Sequence, residues 1–228
     1  MNDRVRSIIN LLVTLAVPII LCNLTILLLL SPLYINFEYQ RPGFPQDSYG
    51  FSTEERLLFG NQTRRYLVTT QSLDALRDLA FPDGDPLYKE RELAHLEDVK
   101  VVLQGLLRVF YGAAGIFVLG ATLAWGQGWQ TDLLQAVFRG GRLTAIMLVT
   151  ILFFTLISFQ ALFTNFHRLF FEGDSWLFYT SDTLIRLFPI QFWQDVFLAF
   201  GLITLAGSGL LGWGIPAWKK SSARKREE

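Results

Sequence analysis

The chain has 228 residues, of which 51% are hydrophobic, 14% aromatic and only 18% charged, which is the composition of a membrane protein rather than of an ordinary globular domain. Its 20 basic and 20 acidic residues give a formal net charge of zero, which argues against nucleic acid as a partner. The single cysteine, Cys22, excludes an internal disulfide bond.

Four apolar stretches are long enough to cross a bilayer, which requires roughly 20 residues of helix. They cover about residues 8–30, 101–125, 143–163 and 192–215. The first is too long for the apolar core of a signal peptide, and no cleavage site of small residues follows it. The sequence therefore predicts an all-α membrane protein with four transmembrane helices in a single integral membrane domain, residues 1–228.

The basic residues of the short segments fall on one side of these spans, at both ends of the chain and between spans two and three. They are Arg4, Arg6, Arg139, Arg142, Lys219, Lys220, Arg224, Lys225 and Arg226. Short loops rich in Lys and Arg stay in the cytoplasm. Both termini are therefore predicted to be cytoplasmic, and residues 31–100 and 164–191 to form an extracytoplasmic cap.

The first part of the cap opens with a stretch from Pro32 that is rich in proline and aromatic residues, and we expect irregular chain there. Ser52 and Glu55 have the spacing of a capping box, which predicts a helix through Arg65. The second part, residues 164–191, is too polar to span and too apolar for water, so an interfacial or re-entrant segment is predicted.

Two more helix starts are predicted before span two. Ser72 is a candidate cap for a short helix over residues 73–80. Asp85 followed by Pro86 is typical of a helix start, and that helix is expected to continue into the membrane.

The only two histidines of the chain, His95 and His167, are predicted to lie at the same extracytoplasmic mouth of the bundle. On a helix, Arg91, His95 and Asp98 share one narrow sector, with Glu92 on its flank. A carboxylate one turn from an imidazole can fix its tautomer and raise its basicity. The alternative to a catalytic role is that these residues form only the charged, solvent-exposed start of the helix.

Other polar residues accompany the histidines. Arg168 and Asp174 follow His167 closely, and the alternative for His167 itself is an interfacial anchor. Asp174 could orient His167 or bind a cationic group, or it could equally be a turn residue. For Asp182 we favour a helix cap. Arg108 lies inside span two, where it either faces an anionic headgroup or oxyanion or extends outward to the interface.

A metal site is the main chemical alternative. Glu92 and His95 have the i, i+3 spacing of di-iron bundle proteins, and His167, Asp98 and Asp174 could complete a ligand shell. The pattern occurs once rather than twice, so we predict no metal and no cofactor.

The segments Tyr88–Lys100 and Phe166–Ile185 resemble the lipoprotein intramolecular transacylases, a family of small four-span bacterial membrane proteins. The layout of spans and the order of segments are also similar, so the resemblance covers nearly the whole chain. It implies transfer of the sn-2 acyl chain of a diacylglyceryl-modified lipoprotein to the α-amino group of that lipoprotein's N-terminal cysteine. It also implies that His95 and His167 are the catalytic pair, on the extracytoplasmic face of the bacterial cell membrane.

This reaction suits two imidazoles, because the α-ammonium, with a pKa near 8, must lose a proton to a base such as imidazole, with a pKa near 6.5. We expect His95 to be the base, oriented by Asp98, and His167 to be the acid or oxyanion donor, with the opposite assignment also open. The residues expected to bind substrate are Arg91, Arg108, Arg168 and Asp174. The expected partners are diacylglyceryl-modified lipoproteins and membrane lipid, not nucleic acid.

Two other functions stay open at this point. The first is a metal-dependent membrane hydrolase. The second is a membrane binding or transport subunit without enzymatic activity, and under that hypothesis removing either histidine leaves function intact.

Overall fold

The computed structural model describes residues 2–215, without the side chains of residues 154–156. The basic tail from Lys219 onward, on which part of the predicted orientation depends, lies outside the described residues. Over the described part the chain is α-helical, and the β-structure there is a single isolated bridge between Ala80 and Pro86.

The helices, in chain order, are α1 (Asp3–Leu29), α2 (Pro32–Gln40), α3 (Thr53–Val68), α4 (Asp74–Arg77), α5 (Glu90–Gln127), α6 (Gln130–Ile157), α7 (Phe159–Phe170), α8 (Thr183–Leu187) and α9 (Ile190–Gly209), which continues as a π-helical turn (Leu210–Gly214).

Four of these helices are long and apolar enough to cross a membrane, as predicted. Their spans are Asp3–Leu29, Glu90–Gln127, Gln130–Phe153 and Ile190–Gly214. The third begins well before the predicted position 143, because the amphipathic stretch from Gln130 continues the same helix. It ends at Ser158, whose extended backbone interrupts the helix and whose hydroxyl accepts the N–H of Ala161 at 3.2 Å to start α7.

The chain divides into two compact units, which are described separately. The first, here the bundle unit, comprises Met1–Ile26, Leu106–Ile157 and Leu198–Glu228. The second, here the loop unit, comprises Leu27–Gly105 and Ser158–Phe197.

The bundle unit is built from close helix contacts and polar bonds between helices. The hydroxyl of Thr204 donates to that of Thr25 at 2.9 Å, and the hydroxyl of Thr14 bonds the Ala136 carbonyl at 3.1 Å. Such bonds hold helices together where lipid offers no hydrophobic drive between them.

The loop unit has its own hydrophobic core, formed by the first loop, the start of α5 and the α8–α9 region. Its buried members are Ile35, Tyr39, Phe51, Tyr66, Leu76, Leu87, Tyr88, Leu93, Leu96, Leu184, Leu187, Phe188 and Phe192. This core fixes the entrance of α5, which carries His95, against the second loop.

The expectation of irregular chain from Pro32 onward was wrong for Pro32–Gln40, which form α2, and is confirmed for residues 41–45. Ser31 caps α2 by accepting the N–H of Tyr34 at 3.4 Å, and Pro32 occupies the first helical position, where proline is favoured. The capping box of Ser52 and Glu55 is confirmed, and α3 runs to Val68.

The short helix predicted over residues 73–80 is present but shorter, whereas the predicted caps at Ser72 and Asp85 were wrong. The short helix α4 begins at Asp74 without a side-chain cap. Pro86 pairs with Ala80 and the Leu87 N–H donates to the Leu79 carbonyl at 2.8 Å, so this stretch is extended and α5 begins only at Glu90. The competing backbone bonds explain why Pro86 does not open the helix.

Candidate active site

The two histidines lie side by side in the loop unit. The ring centroids of His95 and His167 are 6.2 Å apart, and the ring planes differ by 22°. His95 comes from the second turn of α5 and His167 from the last turns of α7. Two segments far apart in the sequence thus bring both imidazoles of the chain to one point.

Aromatic side chains enclose the pair, and we call Phe163, Phe171, Trp176 and Phe178 the aromatic wall. Phe171 lies 4.8 Å from the ring of His95, and Phe178 lies 5.3 Å from it. Phe163 and Trp176 lie 4.1 and 4.9 Å from the ring of His167. The two imidazoles therefore occupy a largely apolar environment with reduced access to water.

His167 has a defined hydrogen-bond partner. Its Nδ1 is 2.8 Å from the carbonyl oxygen of Phe163, one helical turn earlier. Because a carbonyl oxygen only accepts, Nδ1 of the neutral ring must carry the proton, which leaves a lone pair on Nε2. Burial lowers the pKa of His167 below its usual 6.5, although the bond to Phe163 acts in the opposite direction, so the ring is neutral at pH 7.

His95 lacks such a partner. Its side chain is only 6% exposed, and Nδ1 is buried with no hydrogen-bond partner in the described structure. Asp98, expected to orient it, is exposed, and the residues described here include no hydrogen bond between the two. The shared helical sector places both side chains on the same side of α5 but does not give them a hydrogen bond.

Arg91 lies at the edge of this site and pairs with Asp182. Its guanidinium also lies over the rings of Phe178, at 5.7 Å, and Tyr179, at 5.0 Å. Burial alone would raise the pKa of Asp182, but hydrogen bonds from Lys89 and the Tyr179 N–H, with the nearby charges of Lys89 and Arg91, lower it. Asp182 is therefore an ionised carboxylate that accepts one hydrogen bond from the guanidinium of Arg91.

The other predicted substrate-binding residues are not drawn into the histidine pair. Arg168 and Asp174 are exposed, and neither forms an ion pair within residues 2–215. Arg108 is exposed and belongs to the bundle unit, so its relation to the site stays a prediction.

The sequence did not reveal the parts played by Glu92 and Asp182. Asp182 is the N-cap residue of α8, as predicted, but its side chain makes no cap bond. Glu92, one turn before His95, instead accepts the N–H of Leu184 at 2.6 Å. Glu92 is the third residue of α5, and a Glu at that position often accepts the N–H of the N-cap residue, here Lys89. The sequence therefore held a signal for the bond from Lys89 but none for the bond from Leu184.

The spacing of Glu92 and His95 raised the possibility of a metal site. The carboxylate of Glu92 is fully buried and bonded to two backbone N–H groups, of Lys89 and Leu184. Between residues 2 and 215, no three His, Cys, Asp or Glu side chains converge as metal ligands would.

Comparison with known proteins gives consistent results. A family model described as lipoprotein intramolecular transacylase Lit matches residues 9–193. An uncharacterized protein of Aquifex aeolicus is 28% identical over 214 residues, covering 91% of this chain and 95% of that protein.

The fold is shared with solved structures of the membrane integral lipoprotein intramolecular transacylase Lit from Bacillus cereus. One aligns with a TM-score of 0.80 at 22% identity, covering 100% of both chains. A variant of the same protein with a histidine changed to alanine aligns with a TM-score of 0.70 at 21% identity, covering 99% of this chain and 97% of that one.

Proposed function

The chain belongs to the lipoprotein intramolecular transacylase family and is a multi-pass membrane acyltransferase, and on that premise we propose its reaction and the roles of its side chains. The substrate is a diacylglyceryl-modified lipoprotein with a free α-amino group on its N-terminal cysteine. The product is the N-acylated lyso form of the same lipoprotein.

In this reaction the α-amino nitrogen attacks the carbonyl carbon of the sn-2 ester. A carbon–nitrogen bond forms, the ester carbon–oxygen bond breaks, and the released glyceryl oxygen takes a proton. One proton of the original ammonium passes to water, so that atoms and charge balance. Nucleophile and ester belong to one molecule, so the protein mainly has to hold them in attack geometry and move protons.

We assign the base to His167 rather than to His95. The observation that carries this assignment is the 2.8 Å contact between Nδ1 of His167 and the Phe163 carbonyl, which leaves Nε2 free to accept. The lowered pKa of His167 keeps Nε2 unprotonated at neutral pH. His167 accepts the proton of the attacking amine and returns it to the departing glyceryl oxygen.

His95 then acts as a donor to the negative charge that develops on the carbonyl oxygen. Its neutral ring carries one N–H, and its low exposure strengthens any hydrogen bond to that charge. The ring spacing of 6.2 Å leaves the two imidazoles close enough to contact neighbouring atoms of one ester. Asp98 has no part in this scheme.

The membrane orientation is part of the proposal. Arg4 and Arg6 lie in the first turn of α1 and favour a cytoplasmic position for that end of the helix, by the positive-inside rule. Arg139 and Arg142, which were predicted to lie in a loop between spans two and three, lie within α6 instead, because that helix already begins at Gln130. The histidine pair is then extracytoplasmic, where lipoproteins and membrane lipid are its partners. Arg91, Arg108, Arg168 and Asp174 remain candidates for contacts with the substrate headgroup.

The decisive experiment is mass spectrometry of the N-terminal peptide of a lipoprotein co-expressed with this chain in a host without other N-acylating enzymes. Wild type is expected to give a peptide with an N-acyl, S-monoacylglyceryl cysteine. The variants His95→Ala and His167→Ala are expected to leave the diacylglyceryl peptide unchanged, with a free amine. An unchanged peptide with folded wild-type protein would rule out transacylation of that substrate. Chelation that abolishes the wild-type product would instead favour metal-dependent chemistry.

A further inference from the structure

The carboxylate of Glu92 joins two segments that are distant in sequence. It is fully buried, and it accepts the N–H of Lys89 at 2.9 Å and the N–H of Leu184 at 2.6 Å. Lys89 immediately precedes α5, whereas Leu184 lies in the first turn of α8. One side chain therefore accepts hydrogen bonds from N–H groups at the starts of two helices, where the helix itself offers these groups no acceptor. This is the role of a capping residue, and Glu92 fills it for both helices.

Asp182 forms a second connection between the same segments. Its carboxylate is fully buried and accepts from Lys89 Nζ at 2.8 Å and from Arg91. It also accepts the N–H of Tyr179 at 2.7 Å, which turns it away from its own helix. Because Asp182 is committed to these partners, the cap of α8 falls to Glu92.

These two connections bracket the second half of the aromatic wall. Trp176 and Phe178 lie between Phe171, at the end of α7, and Asp182. One end of this segment is continuous with α7, and the other is held to the first turn of α5 by Glu92 and Asp182. Glu92 and Asp182 therefore help to hold against α5 the segment that covers His95 and His167, together with the 3.0 Å contact between the hydroxyls of Tyr49 and Thr180.

We propose that Glu92 is a positioning residue of the transacylase, which holds the segment carrying Trp176 and Phe178 over the two imidazoles by capping α8 from α5. The kinetic half of this inference rests on the proposed function, whereas its structural half does not. Glu92 itself contacts no reacting atom.

The informative substitution is Glu92→Gln. It preserves size, but the amide presents an NH₂ group to one of the two N–H donors, so one bond is lost and two donors face each other. The matched control is Glu97→Gln, an exposed glutamate on the same helix. Both variants lose one negative charge from α5, so a difference between them reports the capping bonds.

The first readout is the rate at which diethyl pyrocarbonate modifies each histidine, followed by peptide mass spectrometry. The chain has only two histidines, so two peptides report the whole site. His95 is 6% exposed and is expected to react slowly in wild type. In Glu92→Gln we expect faster modification of His95, about fivefold or more, since loss of one buried hydrogen bond shifts an open–closed balance by roughly that factor.

The second readout is steady-state kinetics on a lipoprotein substrate. In Glu92→Gln the closed form itself is expected to be displaced, because the two donors that face each other push the start of α8 away from α5. A displacement of about 1 Å lowers kcat by about 100-fold, with little change in KM because no substrate contact is removed. Glu97→Gln is expected to match wild type in both readouts.

Wild-type modification rates in folded Glu92→Gln would overturn the inference, whatever happens to activity. So would a loss of kcat with unchanged modification of His95. If Glu92→Gln does not fold, Asp182→Asn decides the question by the same measurements, with the same expected result. Should wild type show no transacylation, the modification rates still test the positioning role by themselves.

Discussion

The assignment of the base can be tested by replacing His167 with asparagine. The amide nitrogen of the introduced asparagine would lie close to the position of Nδ1 and can donate to the Phe163 carbonyl, whereas nothing replaces Nε2. The chain already contains this bond in two helices, where Asn23 and Asn61 each donate to the carbonyl four residues earlier at 2.9 Å. The substitution thus removes the base and keeps the local hydrogen bond.

The expected loss follows from the role assigned to Nε2. General base catalysis contributes about 100- to 10,000-fold, which corresponds to roughly 3–5 kcal/mol of transition-state stabilisation. Loss of the ring contacts with Phe163 and Trp176 costs about 0.5–1.5 kcal/mol each in folding free energy, so the variant should be weakened but folded.

The assay is single-turnover formation of the N-acylated peptide by wild type, His167→Asn and His95→Asn in detergent or lipid. We expect His167→Asn to be slower than wild type by about 100-fold or more, with its thermal unfolding midpoint and elution profile showing folded protein. A folded His167→Asn variant that keeps a rate within about tenfold of wild type would refute the assignment.

Three further results are expected. Burial lowers the pKa of His167 in the folded protein, so the contribution of the neutral ring to folding stability is complete above pH 6.5 and decreases as the pH falls below that value. The difference in thermal unfolding midpoint between wild type and His167→Asn should therefore shrink as the pH is lowered from 6.5. Leu187→Ala, at a fully buried position of the loop unit, should cost about 2–5 kcal/mol in unfolding free energy by denaturant titration, and a loss under about 1 kcal/mol would contradict the described core. Gly140→Ala should lower the free energy of unfolding by about 1–3 kcal/mol, because the new Cβ would lie 2.6 Å from the Cβ of Val17. Gly112→Ala should be neutral or stabilising, because no atom lies within 4 Å of the new Cβ. Equal effects of the two substitutions on the free energy of unfolding would argue against the close helix contact at Gly140.

The spans and the identity of the site could be predicted from the sequence because both depend on local features. A bilayer demands about 20 apolar residues per helix, so run length alone finds the spans. His95 and His167 stood out because the chain has only two histidines, each next to a span. Short-range capping signals worked where nothing competed with them, as at Ser52 and Glu55.

The same signals failed where bonds from elsewhere in the chain competed. Pro86 did not open a helix because Ala80 and Leu79 bond the stretch as extended chain. Asp98 shares a helical sector with His95 but is exposed and does not bond its buried Nδ1, since the sector alone does not set side-chain direction or burial.

Sequence alone determined the class of the protein, its four spans, the two histidines and the family resemblance, because composition, periodicity and motif spacing are local properties. The three-dimensional structure decided that the two histidines lie side by side and which groups bond to them and to the segment around them. The carbonyl of Phe163 is a backbone atom that any residue would supply, and the bond from Leu184 to Glu92 joins residues 92 apart in the chain. The bond to Phe163 lies within α7 but involves no particular side chain at position 163, so the sequence does not mark it. The bond to Glu92 depends on two segments that meet only after folding.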